Sequence, residues 1–269
     1  MIPNEVFHYT TNCKALKILI SKQLRLGQLE FTNDPKESKL WVGSLEILGI
    51  IDQNTGKILV EVQHEINRIK SKEWKVLCVS KNHPEIDKIP LTDREIKKHY
   101  FPLFMSGDCL PRMWASYASE NNKHTGVCIK LRRDKLDQKI IKKFKNGYKV
   151  FRGNIEYDDE KFFKPPKWQF EVSQESSERK QKIRNHLFEH YRHYFLLKSQ
   201  DWETENEFRW LIHSEEEYPE YVSIEGLIDA VMLGADISKD DEGCIRKVCQ
   251  DLSIEVIKIG WVNGIPEYR

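Results

Sequence analysis

The pattern of hydrophobic and polar positions divides the chain into short blocks, and the spacing within each block predicts its secondary structure. Residues 5–10 predict a short strand with His8 and Thr10 on one side, because side chains alternate between the two faces of a strand. The mostly apolar run over 74–80 predicts a buried strand. Further strands are predicted at residues 24–29, 127–131, 148–157, 230–234 and 255–260.

Segments with apolar residues at helical spacing lie between these strands. Trp114 and Tyr117, for example, are one helical turn apart. The predicted helices cover residues 15–20, 39–48, 60–72, 111–118, 178–198 and 240–252. The chain has no internal repeat and no low-complexity linker. We therefore predict one α/β (α+β) domain over residues 1–269, in which helices flank a mixed, mainly antiparallel sheet and residues 82–110 form an excursion.

The stretch from Trp202 to Ile212 combines charged and apolar residues in an unusual way. If it is a strand from residue 205 onward, Glu205, Glu207 and Arg209 share one face, and apolar side chains occupy the other. Charge on an otherwise apolar strand is costly unless it is paired or used in chemistry. Two interpretations follow: a Glu207–Arg209 ion pair on a surface strand, or an acidic functional site.

Composition and charge narrow the range of functions. The 269 residues are 39% hydrophobic and 32% charged, as in an ordinary soluble protein, and the net charge of +1 gives no overall attraction to nucleic acid or anionic membranes. No signal peptide is recognisable, and no apolar run approaches the roughly 20 residues that span a bilayer. The six cysteines form no CxxC pair. We expect a cytoplasmic protein with reduced thiols and no membrane contact.

Two histidines have the spacing of metal ligands. His186 and His190 are four residues apart in the predicted helix 178–198. No glutamate directly follows the first histidine, and no third ligand is evident nearby. We therefore predict no metal site.

Several short motifs together resemble a bacterial family, the domain of unknown function number 2971. Their order and spacing along the chain, from His8 to about Gly234, carry the resemblance. The motifs are His8-Tyr9-Thr10, Phe31-x-Asn33-Asp34-Pro35-x-Glu37, Cys78-Val-Ser80, Trp114-x-x-Tyr117, His124-x-Gly126-Val127-Cys128-Ile129 and Lys198-x-x-x-Trp202-x-x-Glu205-x-Glu207-x-Arg209. The family name itself implies no function.

A more distant resemblance does imply a function. A His-Tyr-Thr strand followed by a helix is similar to the opening of ADP-ribosyltransferase-fold enzymes, and Glu205-x-Glu207 is similar to the paired glutamates of transferases that modify arginine. His8, Tyr117 and Glu207 occur in the order histidine, aromatic, glutamate that these enzymes use. The resemblance implies an ADP-ribosyltransferase-like fold and NAD as the substrate. The Ser-Thr-Ser strand of those enzymes is not evident here.

The resemblance assigns a role to each candidate in the chemistry. Cleaving the nicotinamide–ribose bond develops positive charge on the sugar, as in glycoside hydrolysis, and Glu207 would offset that charge. Glu205 would position or deprotonate the acceptor. Arg209 would grip the pyrophosphate or hold Glu207 in place.

The other candidates would bind the dinucleotide. His8, with Tyr9 and Thr10 on the same strand, would hold the ribose on the adenosine side. Trp114 or Tyr117 would stack on the nicotinamide ring. This assignment requires His8 and Glu207 to lie side by side in one cleft of dinucleotide size.

Other functions remain open on the sequence alone. An RNA 2′-phosphotransferase of the same fold would need basic residues near His8, and Lys14, Lys17, Lys22 and Arg25 are available. A non-catalytic binding or regulatory module would use the acidic stretch to contact a partner. The acceptor of a transferase would be a protein or a nucleic acid. A toxin or anti-phage effector would also have an antitoxin or another partner chain.

Overall fold

A ten-stranded, mainly antiparallel sheet organises the protein. The computed structural model describes residues 4–40, 45–48, 55–84, 106–119, 123–171 and 175–269. Helices pack on both faces of the sheet, and two small two-stranded sheets accompany it. The predicted fold class, a single mixed α/β domain with a mainly antiparallel sheet, is confirmed.

The first part of the chain, from β1 to β4, contains four strands and several helices. In order they are β1 Glu5–Thr10, α1 Asn12–Ser21, β2 Gln23–Gln28, a 3-10 helix Leu29–Phe31, α2 Pro35–Ser38, β3 Leu45–Leu48, α3 Thr55–Arg68, a π-helical turn Ile69–Glu73 and β4 Trp74–Ser80.

The elements of the second part complete the sheet. They are α4 Pro111–Ser116, β5 Val127–Arg132, α5 Arg133–Lys143, β6 Lys149–Asn154, β7 Glu156–Tyr157, α6 Asp159–Phe162, β8 Trp168–Glu171, α7 Ser176–Glu189, α8 Tyr191–Phe195, β9 Leu197–Lys198, a 3-10 helix Gln200–Glu205, β10 Glu207–His213, β11 Glu220–Ser223, β12 Ile228–Leu233, α9 Lys239–Asp251, β13 Glu255–Val262 and β14 Ile265–Tyr268.

Strand β4 is the junction of the sheet. Strand β10 pairs along its whole length on one edge, from Glu207 opposite Ser80 to His213 opposite Trp74. On the other edge, β2 pairs near the start of β4 and β1 pairs near its end, where Phe7 lies opposite Ser80. The sheet then continues from β1 through β5, β12, β13 and β14, and within it β12 and β13 pair in parallel.

Apolar residues form one core on one face of the sheet and two on the other. The first core lies under α1, α5 and α9 and includes Phe208 and Trp210 of β10. On the opposite face, a second core around Trp74 packs against α3 and α7, and a third forms around Phe7 and Trp114. Because side chains alternate along β10, Glu207 and Arg209 face the side with the second and third cores.

Several predicted elements are confirmed, and others are wrong for an identifiable reason. The strand at 74–80 has the predicted bounds. The predicted helix 39–48 is wrong at residues 45–48, which form a strand paired in parallel with β8. The predicted helix 178–198 stops at Glu189, and its last two residues form β9, which pairs with β7. Both errors come from pairing with a distant segment, which local periodicity does not report.

The two ends of the predicted excursion over 82–110 meet in the structure. The backbone N–H of Gly107 donates a hydrogen bond to Asn82 Oδ1 at 2.9 Å, and the Tyr9 hydroxyl donates to the Gly107 carbonyl at 2.7 Å. Residues 85–105, the middle of the excursion, lie outside the described residues. Within the described ranges, no helix is long and apolar enough to cross a bilayer.

Candidate functional site

A buried group of charged side chains lies between the second and third cores. We call it the charged cluster and define it as Glu37, Lys198, Glu205, Glu207 and Arg209. All five are buried, with at most 5% of any residue exposed. Because isolated buried charges are very unfavourable, each must be compensated by an opposite charge or by hydrogen bonds.

The two glutamates converge on one lysine. Lys198 Nζ lies 2.8 Å from Glu205 Oε2 and 2.9 Å from Glu207 Oε2. Glu205 ends a 3-10 helix, Asn206 takes a left-handed conformation with φ 44°, and β10 begins at Glu207. The predicted strand is therefore confirmed from Glu207 to Ile212 and wrong at Glu205 and Asn206, because the left-handed residue ends one element before the next begins. This turn brings both carboxylates to Lys198.

Arg209 makes four hydrogen bonds inside the charged cluster. It donates to both carboxylate oxygens of Glu207, from Nε at 2.6 Å and from Nη2 at 3.0 Å. Its Nη1 donates to Glu37 Oε1 and, at 2.9 Å, to the carbonyl of Phe195. With 1% of its surface exposed, Arg209 is not placed to grip a pyrophosphate from solvent. Of its two predicted roles, the geometry corresponds to the one that holds Glu207 in place.

The charged cluster keeps Glu207 ionised. Burial alone would raise the pKa of Glu207, but Arg209 and Lys198 outweigh that effect and lower the pKa to about 2. Glu207 therefore has no proton to give at neutral pH. It provides a fixed negative charge, which suits stabilisation of a developing positive charge rather than acid catalysis.

Tyr117, the residue directly after α4, joins the charged cluster. Its hydroxyl donates a hydrogen bond to Glu205 Oε1 at 2.7 Å. Burial and the negative charge of Glu205 raise the pKa of Tyr117, so the hydroxyl stays protonated. Tyr117 is half-buried and brings the cluster closer to the surface.

His8 does not join the charged cluster. Phe7 lies opposite Ser80, which lies opposite Glu207, so Phe7 and Glu207 share a face of the sheet. Alternation along β1 then assigns His8 to the other face. Its Nδ1 lies 3.3 Å from the carbonyl oxygen of Cys78, on the β4 edge between its pairings with β1 and β2. The predicted arrangement, with His8 and Glu207 facing one cleft, does not form.

The other predicted dinucleotide-binding residues lie away from the charged cluster. Trp114 is fully buried, donates from Nε1 to the carbonyl of Asp108 at 2.7 Å and packs edge-on against Tyr9. The Tyr9 hydroxyl is committed to Gly107, and Thr10 is buried in the pairing of β1 with β5. These side chains form the third core and its border rather than a binding surface.

Several polar atoms close to the charged cluster have unused hydrogen-bonding capacity. Ser80 Oγ, Asp34 Oδ2 and Glu37 Oε2 are buried and have no hydrogen-bond partner among the described residues. Ser80 lies directly opposite Glu207 in the sheet, and Glu37 binds Arg209. Buried polar atoms without partners are uncommon in folded proteins, and each of these atoms has the chemistry to make a further hydrogen bond.

Sequence reasoning missed the residues that connect the charged cluster. Lys198 was expected to end a helix, and Glu37 had no assigned role, although both belong to the motifs that resemble the family. A signal was present at Lys198, a charged residue directly after the apolar run Phe195–Leu197. Glu37 is 172 positions from Arg209, and no local pattern indicates that pairing.

The predicted metal spacing at His186 has another explanation. The His186 ring stacks on Trp168 at 3.8 Å between centroids, and its Nε2 lies 3.2 Å from the Tyr194 hydroxyl. Burial lowers the pKa of His186 to about 4. A search of the described residues finds no group of three or more histidine, cysteine, aspartate or glutamate side chains that could hold a metal ion.

Comparison with known proteins supports the resemblance to the family of unknown function. A family described as a protein of unknown function, DUF2971, matches residues 113–210. The matched segment includes Tyr117, Lys198, Glu205, Glu207 and Arg209, but neither His8 nor Glu37. Searches of curated proteins and of solved structures gave no match. The resemblance to ADP-ribosyltransferases therefore depends only on the motifs in the sequence, such as Glu205-x-Glu207.

Proposed function

We propose that the protein is an NAD-dependent, ADP-ribosyltransferase-like enzyme that cleaves the nicotinamide–ribose bond at Glu205 and Glu207. The observation that carries the proposal is the pair of carboxylates beneath Tyr117, of which Glu207 is held ionised by Arg209 and Lys198. A reaction that develops positive charge on a sugar is stabilised by such a fixed negative charge.

The polar atoms near the charged cluster fit a ribose. Sugar hydroxyls donate and accept hydrogen bonds, and Ser80 Oγ and Glu37 Oε2 are buried polar atoms without a partner in the described part of the chain. Glu207 Oε1 accepts a hydrogen bond from Arg209, and the Cys78 thiol also bonds the carboxylate, so a ribose hydroxyl would share Glu207 with both groups. His8, Tyr9, Thr10 and Trp114 have no part in this version of the site.

The proposed reaction transfers ADP-ribose from nicotinamide, the leaving group, to an acceptor nucleophile. The bond between the ribose C1′ and the nicotinamide nitrogen breaks, and its electron pair leaves with nicotinamide. A nucleophile on a protein or nucleic acid, or water, forms the new bond to C1′, and its proton passes to Glu205. Glu207 offsets the charge on the ribose, while Arg209 and Lys198 keep both glutamates in position.

Nicotinamide release tests the proposal. The protein is incubated with NAD labelled in the nicotinamide ring, with and without protein and nucleic acid acceptors. We expect release by the natural protein and by Glu61→Gln, an exposed glutamate on α3, and loss of release in Glu207→Gln. Release that is unchanged in Glu207→Gln would remove the basis of the proposal.

A second candidate function is a non-catalytic binding or regulatory module. The observation in its favour is that Arg209 and Lys198 already pair with both carboxylate oxygens of Glu207, as in a purely structural ion-pair network. A protein that folds normally, releases no nicotinamide and shows no rise in melting temperature with NAD would favour this function. Cell toxicity that Glu207→Gln relieves would instead favour a toxin or anti-phage effector.

A further inference from the structure

A half-buried arginine lies on the outer side of the charged cluster. Arg112 belongs to α4, and its guanidinium carbon is 4.9 Å from the centre of the Trp202 ring. Its Nη1 donates to the carbonyl of Asp201. It makes no ion pair with any residue in the described part of the chain, unlike Arg209. A guanidinium has five N–H donors, and only one donor of Arg112 is hydrogen-bonded to a described residue.

Trp202 connects Arg112 to the charged cluster. Lys198 Nζ lies 4.9 Å from the centre of the same ring, and Lys198 pairs with Glu207 at 2.9 Å. Helix α4, which contains Arg112, packs against the 3-10 helix Gln200–Glu205. Tyr117 is the residue directly after α4. Arg112 and the glutamates therefore belong to one continuous set of contacts that leads from the surface to the charged cluster.

The chemistry of Arg112 suits a phosphate. A planar guanidinium donates two parallel hydrogen bonds to phosphate oxygens, and contact with an aromatic ring fixes its orientation before a ligand arrives. Arg209 does not suit this role, because Glu207, Glu37 and the Phe195 carbonyl take four of its five N–H donors and the residue is buried. The charged cluster itself contains three carboxylates and two cations, so it would not attract an anion.

We propose that Arg112 binds the diphosphate of a dinucleotide whose nicotinamide ribose lies at Glu207, and that Trp202 positions the guanidinium. This inference rests on the proposed function. It transfers the pyrophosphate contact from Arg209 to Arg112, a residue that precedes the segment matched by the family.

Titration calorimetry with NAD tests the role of Arg112 in the full chain. Arg112→Met keeps much of the apolar contact with Trp202 and removes the charge, and Arg112→Lys keeps the charge without the paired donors. Arg192→Met is the matched control, because Arg192 also lies over an aromatic ring, that of Tyr191 at 5.6 Å. We expect NAD to bind about tenfold more weakly to Arg112→Met. The loss should be smaller in Arg112→Lys and absent in Arg192→Met.

The outcomes separate the two proposals. If NAD binds the natural protein and Arg112→Met equally well, the inference on Arg112 is overturned and the proposed function stands. If NAD binds neither protein, both are overturned. Equal melting temperatures of the variants without ligand would confirm that any loss of affinity is not a loss of folding.

Discussion

The buried charges near residue 207 are each compensated by an opposite charge in the same cluster. Arg209 compensates both Glu207 and Glu37, and each carboxylate is almost completely buried. Replacing a whole buried ion network with apolar residues can be neutral, but removing one member leaves an uncompensated buried charge. The charged cluster therefore contributes to stability as a unit, whatever its chemistry.

Arg209→Met should destabilise the fold strongly. The substitution leaves Glu207 and Glu37 without their shared partner, at a cost of about 3–5 kcal/mol in the free energy of unfolding. Urea denaturation measures this, and Arg192→Met, near the surface, should change the value by less than about 0.5 kcal/mol. A loss below about 1 kcal/mol for Arg209→Met would show that the charges do not depend on Arg209.

Glu207 should also make stability depend on pH in the acid range. Its pKa is lowered from 4.5 to about 2 in the folded protein, so the folded state binds this proton less readily than the unfolded state. The resulting stability is present above about pH 4.5 and is lost as the pH falls toward 2, by about 3 kcal/mol in total. Glu207→Gln should be less stable at neutral pH and should lose less on acidification.

Unfolding curves between pH 7 and pH 2 measure this effect. Glu61→Gln, which changes an exposed glutamate, should follow the natural protein throughout. If Glu207→Gln instead loses stability as steeply as the natural protein, then Glu207 is not held ionised by its neighbours.

At the scale of elements, the left-handed turn at Asn206, between the 3-10 helix and β10, determines the position of both glutamates. Its side chain amide donates to the carbonyls of Lys81 and Asn82, at 3.0 and 2.8 Å, and its own carbonyl accepts from the Lys81 N–H at 3.0 Å. These bonds fix the left-handed turn between the 3-10 helix and β10. Asparagine suits the position because it tolerates this conformation better than most residues.

Asn206→Ala should cost more than the same change at another left-handed asparagine. Asn263 has φ 52° and is exposed, so Asn263→Ala should cost mainly the conformational penalty, about 1 kcal/mol. At Asn206 two partly buried carbonyls also lose their donors, which adds about 1 kcal/mol. Thermal or urea unfolding compares the two variants. Equal losses in the free energy of unfolding would mean that the side-chain hydrogen bonds of Asn206 do not stabilise the turn.

The elements also show how far a sequence pattern reaches. The strand Trp74–Ser80 was predicted with its bounds because an apolar run of that length between polar segments is a local signal. Residues 191–198 were expected to continue a helix, since the buried run Tyr194–Leu197 gives no periodicity to separate helix from strand. Pairing of Leu197–Lys198 with Glu156–Tyr157 decided the outcome, and that pairing is not local.

For the whole molecule, the sheet separates residues that the sequence placed together. Glu205 and Glu207 were predicted correctly as neighbours because they are close in the chain. His8 was placed beside Glu207 by resemblance, and the register of β1, β4 and β10 assigns it to the opposite face. A shift of one position in such a register exchanges the two faces, and sequence alone does not fix it.

The site thus combines predictable and unpredictable parts. The family-like motif around Lys198 and Arg209 contains most of the charged cluster, and the match over residues 113–210 covers that part. Glu37 comes from a distant helix, and the unpartnered Ser80 Oγ becomes visible when the strands are aligned. Only the fold brings these groups to the same face as Glu207.

The role of Glu207 is tested by measuring NAD binding and nicotinamide release in the same variant. At a temperature where both proteins are folded, we expect Glu207→Gln to bind NAD within about threefold of the affinity of the natural protein, and the rates of release are then compared at saturating NAD. Glu207→Gln should release nicotinamide about 100-fold more slowly, since removing a preorganised charge acts on the transition state. Equal rates of release at saturation, or no release by the natural protein with any acceptor, would contradict the central claim.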